Sequence, residues 1–367
     1  MSKLNELAKL GQSIWFDYIK RDLITSGELG KLINMGLRGM TSNPTIFDKA
    51  ISGSTDYDDD IRLLLDKDLS TEEIYEALAL KDIGLAADLL LPVYKNTNGY
   101  DGYVSIEVNP HLAHKTVETI EQAKRLFKTL NRPNIMVKIP GTLEGLPAIT
   151  EVIGSGVNVN VTLIFSNEIY KQVAEAYIKG LEKLDTVGGD VSKIASVASF
   201  FVSRVDTACD KELEAKGNKE LLGKIAIANS KVAYEISHEI FSGERWNKLK
   251  NKGAKVQRLL WASTGTKNPD YPDTLYVDEL IGADTVNTLP PATLDAFIEH
   301  GKLEVTLDKN LDEAKKQIDR FADLGIDLEK ITDKLQVDGV KSFADSFDSL
   351  LNSISEKVET LKESTIK

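Results

Sequence analysis

The run Val157-Asn158-Val159-Asn160-Val161-Thr162-Leu163 alternates apolar and polar residues over its whole length, the period of two that sends successive side chains to opposite faces of a β-strand. In a sheet covered by helices one face has to be apolar, so the valines and Leu163 take the helix side and Asn158, Asn160 and Thr162 take the other. A polar inner face is what a closed barrel with a functional interior presents. Asn134-Ile135-Met136-Val137-Lys138-Ile139 reads the same way: Ile135, Val137 and Ile139 face the helices, and Lys138 points inward with Met136. By this parity Asp17 lies inside with Trp15, Asn43 with Thr41, Glu107 with Ser105, and Ser199 with Phe201.

Working outward, short apolar or β-branched runs alternate with long amphipathic ones, the order of βα units around a parallel sheet. Strands are expected over Ile14–Tyr18, Leu37–Ser42, Tyr103–Val108, Asn134–Ile139, Val157–Phe165, Ile194–Phe201, Arg258–Ala262 and Ala283–Thr288. Eight is the number a (β/α)8 barrel requires. Helical spacing marks Thr71–Leu90, His114–Leu130, Asn167–Leu184 and Lys219–Phe241, with Leu311–Leu324 and Asp338–Leu361 after the last strand. The segments Pro44–Gly102 and Val205–Gln257 are too long for a simple βα unit and are expected to hold extra helices. No repeat, low-complexity tract or linker interrupts the chain. The expected fold is therefore α/β, a single TIM-type barrel domain over residues 1–367, with strands within about 14–290 and C-terminal helices at about 305–365 that close or wrap it.

Length alone, 367 residues, fits either two or three domains at roughly 150 residues each or one barrel of about 250 with insertions. Hydrophobic and charged fractions of 42% and 28% are those of an ordinary globular chain, so a sizeable core is expected. The net charge of −12 provides no general field for polyanions, which argues against nucleic acid or an anionic membrane as partner. Any anionic ligand must be held by a local cluster. The lone Cys209 rules out an intramolecular disulfide and a Cys-based zinc site and fits a reducing, cytoplasmic compartment. The N-terminus lacks the apolar segment of a signal peptide, and the richest apolar run, Ile83 to Tyr94, is broken by Asp88 and Pro92. With no apolar stripe on the outer helices separable from barrel packing, a monomer or homodimer is expected.

Most inward polar residues fall near the C-terminal end of their strand, followed by Pro or Gly, as in Asn43-Pro44, Asn109-Pro110 and Pro140-Gly141. Active sites of such barrels form at that end. A lysine enclosed there loses solvation, which favours the neutral, nucleophilic amine. Such an amine adds to a carbonyl, and the protonated imine draws electrons from an adjacent C–C bond. Asp17 and Glu107 are available as acid/base groups and Thr162 to fix a water. A plain ion pair among Lys138, Asp17 and Glu107 is the alternative on parity alone. His111 and His114, at i, i+3, suggest a metal-dependent aldolase with Glu107, but no further His is near. Gly154-Ser155-Gly156 and Gly188-Gly189 match no dinucleotide or P-loop spacing and read as turns.

The segments Thr41-Ser42-Asn43-Pro44, Ser105-Ile106-Glu107-Val108, Ile135-Met136-Val137-Lys138-Ile139-Pro140, Asn160-Val161-Thr162-Leu163-Ile164-Phe165-Ser166 and Ser199-Phe200-Phe201-Val202-Ser203-Arg204 together resemble the transaldolase family, in its longer bacterial form. The resemblance runs in order from about Asp17 to Pro291. It implies a cofactor-free (β/α)8 enzyme of the non-oxidative pentose phosphate pathway acting on sugar phosphates. The enzyme would move a dihydroxyacetone unit between sedoheptulose 7-phosphate or fructose 6-phosphate and glyceraldehyde 3-phosphate or erythrose 4-phosphate. On matching motifs it implies Lys138 as Schiff-base residue, Asp17 and Glu107 as acid/base groups and Thr162 as a water ligand. Asn43, Asn160 and Ser199 would bind the retained unit, and Arg204, Ser263 and Lys267 the phosphates. The chain departs from the shorter family form in carrying Lys267 on a longer turn where that form has Arg, and in its Trp15-Phe16-Asp17-Tyr18 context. Fructose 6-phosphate aldolases are similar but shorter, with Tyr where Phe201 stands. A barrel that only binds sugar phosphates has no need of an imine-forming Lys138.

Overall fold

In the computed structural model, which describes residues 2–366, eight parallel strands pair in chain order and the last returns to the first, so the sheet has no edge. The strands are β1 Gln12–Asp17, β2 Gly39–Thr41, β3 Tyr103–Glu107, β4 Ile135–Pro140, β5 Val159–Ile164, β6 Ser196–Phe201, β7 Arg258–Ala262 and β8 Thr285–Leu289. All eight coincide with the runs expected from the sequence, shifted by a few residues at most at their ends, where pairing and not propensity decides the boundary.

Register turns parity into layers. Trp15 pairs with Gly39 and Gly39 with Tyr103, so these three face the axis at one level. Gly39 has no side chain because Trp15 fills its place: a Cβ there would lie 2.6 Å from the indole. The Trp15 and Tyr103 rings approach to 6.3 Å. Below them Arg258 plugs the floor, bonding Asp101 at 2.9 Å, Ser13 at 3.0 Å and the Tyr100 carbonyl at 2.7 Å. One inward step above, Asp17 aligns with Thr41, and one step above that Glu107 aligns with Lys138 and Lys138 with Asn160.

The alternation in β5 breaks at one point. Its register slips between Val161 and Ile164, and Leu163 takes a left-handed φ of 59°. The Leu163 carbonyl turns to accept a hydrogen bond from Gln336 at 3.2 Å, and its side chain meets Gly339 of the C-terminal helix, where an added Cβ would lie 3.1 Å from Leu163 Cδ2. A bulge re-aims a strand end in this way.

Both long excursions carry extra helices, Pro44–Ser52, Asp58–Leu65 and Thr71–Asn96 in the first, Ile225–Ile240 and Glu244–Lys250 in the second. The C-terminal part differs from expectation. After Leu311–Asp323 a single helix runs over Leu328–Ile366, 39 residues, starting ten residues before the expected Asp338. Asp327 supports its first turn by accepting from the Lys330 N–H at 3.1 Å. This helix does not wrap the outside of the barrel but crosses its C-terminal mouth, tied down by Gln336 to the Gly141 carbonyl at 2.9 Å, Ser346 to Thr45 at 3.1 Å and His111 to Asp348 at 2.8 Å. Among the described residues no helix is long and apolar enough to cross a membrane.

The floor plug is a buried charge pair, and removing one partner strands the other. Arg258→Met is expected to lower unfolding free energy by about 3–5 kcal/mol, read from urea denaturation. A loss under about 1 kcal/mol, the worth of a surface pair, would show that the plug contributes little.

Candidate active site

Three strand ends bring the reactive groups together. Lys138, from β4, projects inward at the register level of Glu107, and its Nζ lies 3.6 Å from Glu107 Oε2 on the adjoining β3. Both side chains are only 7% exposed. Lys138 also donates to the Ser42 carbonyl at 3.0 Å, just past β2. Asp17, from β1, completes the group: its carboxylate accepts from Thr41 Oγ1 at 2.6 Å, and Thr288 Oγ1 stands 2.7 Å from the same hydroxyl. Since Thr41 has one proton and gives it to Asp17, Thr288 must donate to Thr41. That chain holds the Asp17 carboxylate in one orientation.

The two acids differ electrically. Burial pushes the Glu107 carboxyl up from its ordinary 4.5 to about 7, against the pull of Lys138. Its Oε2 has no hydrogen-bond partner. Burial also raises Asp17, but Lys138, the Thr41 hydroxyl and Arg204 all act to keep it ionised. Paired acids in unlike environments suit opposite proton duties.

Above them opens a cavity of about 470 Å³, lined among others by Asp17, Asn43, Lys138, Thr162, Ser199 and Arg204. Thr162 Oγ1 is buried without a protein partner and so is available to a small polar ligand. Arg204 sits one residue inside the helix that follows β6, half-buried, with its guanidinium 5.2 Å over the Phe201 ring. Ser263, in a left-handed conformation after β7, bonds Ser203 at 2.9 Å, which locks the β6 and β7 loops together. Lys267 is exposed at the rim, as is Lys49. Among the described residues Arg204, Lys49 and Lys267 form no ion pair, so an acidic chain holds uncommitted positive charge at this mouth.

Not every residue expected in the site reaches the cavity. Asn160, paired with Lys138 across β4 and β5, is fully buried and outside the cavity lining, its amide donating to Ser105 at 3.1 Å and accepting from Ser199 at 2.7 Å. It therefore orients Ser199, which does line the cavity. Asn43 lines the wall, but its Oδ1 caps the helix Pro44–Ser52 through the Ile46 N–H at 3.0 Å, leaving its amide nitrogen to donate. Glu107 is outside the cavity lining and meets the site beside Lys138. His111 and His114 diverge, pairing with Asp348 and Glu144 at 2.8 and 2.9 Å. The loop Asn268–Tyr276 is pinned by Tyr271, whose hydroxyl donates to Asp210 at 2.7 Å.

Two contributors escaped the sequence reading. Thr288 carried a readable signal, because it shares the inward parity of Val286 at the end of β8. Phe343 did not. It lies on the C-terminal helix with its ring 5.8 Å from Lys138 Nζ and 6.0 Å from the Arg204 guanidinium, and in the sequence it belongs to an ordinary apolar stripe with Phe347, Leu350 and Ile354.

Comparison with known proteins gives one consistent result. The family model described as Transaldolase/Fructose-6-phosphate aldolase matches residues 14–354. A protein of Trichodesmium erythraeum named transaldolase is 48% identical over 372 residues, covering 98% of both chains. Namesakes from Saccharopolyspora erythraea and Thiobacillus denitrificans are 47% and 46% identical, covering 98% and 96% of this chain and 99% and 100% of their own.

Glu107 supplies a pH test. Its folded value of about 7 lies above the ordinary 4.5, so its contribution to stability is full below about pH 4.5 and is lost as pH rises through 7. Glu107→Gln is expected to gain stability relative to the parent between pH 5 and 8, by on the order of 3 kcal/mol. Urea midpoints at the two pH values measure this, and a difference independent of pH would refute the burial argument.

Proposed function

The chain belongs to the transaldolase/fructose-6-phosphate aldolase family, and we propose that Lys138 carries its transaldolase reaction as a Schiff base. The observation that supports this most is the Lys138 amine held 3.6 Å from Glu107 at a cavity that Asp17 also lines. The unprotonated amine adds to the C2 carbonyl of a ketose phosphate. Glu107 in its acid form passes a proton, through a water on Thr162, to the carbinolamine oxygen, which leaves as water. Asp17 takes the proton from the C4 hydroxyl, the C3–C4 bond breaks into the iminium, and an aldose phosphate departs. The enamine left on Lys138 attacks the acceptor aldehyde, Asp17 returns its proton to the new hydroxyl, and hydrolysis frees the product ketose.

Around this core Ser199, oriented by Asn160, and Asn43 bind the hydroxyls of the retained unit, while Arg204, Ser263 and Lys267 hold phosphate. Arg204 suits the task because its planar guanidinium binds phosphate in a bidentate way. Transfer is favoured over release because Phe201, which lines the cavity, has no hydroxyl with which to activate water. We read the chain as one barrel domain in a reducing, cytoplasmic compartment, supported by the shared core and the single buried Cys209.

Borohydride added with fructose 6-phosphate is expected to inactivate the protein irreversibly through a ketose-derived adduct on Lys138, located by peptide mass spectrometry. Unchanged labelling in Lys138→Ala would disprove the assignment. Arg204→Ala is expected to raise KM for phosphorylated substrates by at least about tenfold, as loss of a charge-assisted pair of about 1.4 kcal/mol or more implies, with much less effect on free dihydroxyacetone as donor. Equal effects on both would remove its phosphate role.

A further inference from the structure

The C-terminal helix brings to the mouth of the barrel one aromatic ring that contacts both ends of the site. Phe343 lines the cavity and stands 5.8 Å from Lys138 Nζ and 6.0 Å from the Arg204 guanidinium. On the opposite wall Phe201 lies 5.2 Å from the same guanidinium and packs against Phe165 at 5.0 Å. The reactive amine thus has strand residues beneath it and an apolar ring above.

The height of that ring is set by backbone contact. Gly339, one turn before Phe343, meets Leu163 so closely that a Cβ would stand 3.1 Å from its Cδ2. Gln336, a further turn back only slightly out of phase, donates to the carbonyls of Gly141 and Leu163 at 2.9 and 3.2 Å. The left-handed Leu163 at the β5 bulge turns its carbonyl to receive that bond. About two turns of one helix, from Gln336 to Phe343, therefore anchor it to the ends of β4 and β5 and carry Phe343 over Lys138.

We propose that Phe343 is a positioning residue that decides the fate of the enamine on Lys138, favouring transfer over loss to water. The proposal rests on the Schiff-base reading. The competing path is balanced with water as the only co-reactant. The nucleophilic carbon of the enamine takes a proton from water, which turns the enamine into the iminium; the hydroxide left behind adds to the iminium carbon, and the C–N bond breaks as the carbinolamine hydroxyl gives its proton to nitrogen. Free dihydroxyacetone departs and Lys138 regains its amine. An apolar cover lowers the water available for both steps, and the face of the ring favours the positive iminium over the neutral carbinolamine.

The test is the ratio of dihydroxyacetone released to dihydroxyacetone transferred, with fructose 6-phosphate as donor and an aldose phosphate acceptor. In Phe343→Ala this ratio is expected to rise about tenfold, equivalent to about 1.4 kcal/mol of lost discrimination. Phe343→Leu, which keeps an apolar cover, is expected to give an intermediate ratio and serves if the alanine variant folds poorly. Gly339→Val, which keeps the ring but lifts the helix from Leu163, is expected to shift the ratio in the same direction. A ratio unchanged in all three variants, with release and transfer falling together, would overturn the proposal and leave the Schiff base standing provided that borohydride still labels Lys138. Absence of that label in the parent protein would overturn both.

Discussion

In a closed barrel every second residue of every strand aims at the same axis, and the pairing register sets the level at which each arrives. The whole site depends on that constraint. Lys138 and Glu107 sit on neighbouring strands at paired positions, as do Asp17 and Thr41, so the charges meet without any loop having to hold them. The Gly39 gap filled by Trp15 and the Arg258 plug support this level from below. A strand slipped by one residue would turn Lys138 into the helix layer and leave its charge without a partner.

The charges differ in what holds them. Asp17 is oriented by the Thr288–Thr41 hydroxyl chain; burial raises its carboxyl as well, with Lys138, the Thr41 hydroxyl and Arg204 pulling the other way. Glu107 has Lys138 as its one close partner and an oxygen with no hydrogen bond, and burial brings its pKa to about 7. With its carboxyl near 7, Glu107 can exchange a proton close to neutral pH. Thr162, with its hydroxyl likewise unmatched by protein, is placed to carry a water in such an exchange.

The acidic surface and the cationic mouth are two sides of one arrangement. With a net charge of −12 the chain has no long-range attraction for anions, so any attraction of the cavity for an anion has to come from nearby groups such as Arg204, Lys49 and Lys267, which form no ion pair among the described residues. The helix crossing the mouth lowers the local dielectric around these charges and strengthens their effect on whatever binds.

Local pattern by itself determined the eight strands and their inward faces, with Lys138, Asp17, Glu107 and Thr162 among the inward positions, because alternation with a period of two is imposed by the backbone and survives folding everywhere but at the β5 bulge. The family resemblance of five short motifs was legible for the same reason, since each sits on a strand end. Only the tertiary structure decided that Asn160 stands behind Ser199 and outside the cavity lining, that Asn43 spends its oxygen on a helix cap, that the alternation of β5 breaks at Leu163, and that the last helix covers the mouth with Phe343. Depth along a strand depends on the register of its neighbours. Where an amphipathic helix docks depends on surfaces up to hundreds of residues away in the chain. An apolar stripe that covers an active site has the same sequence as one that covers a core.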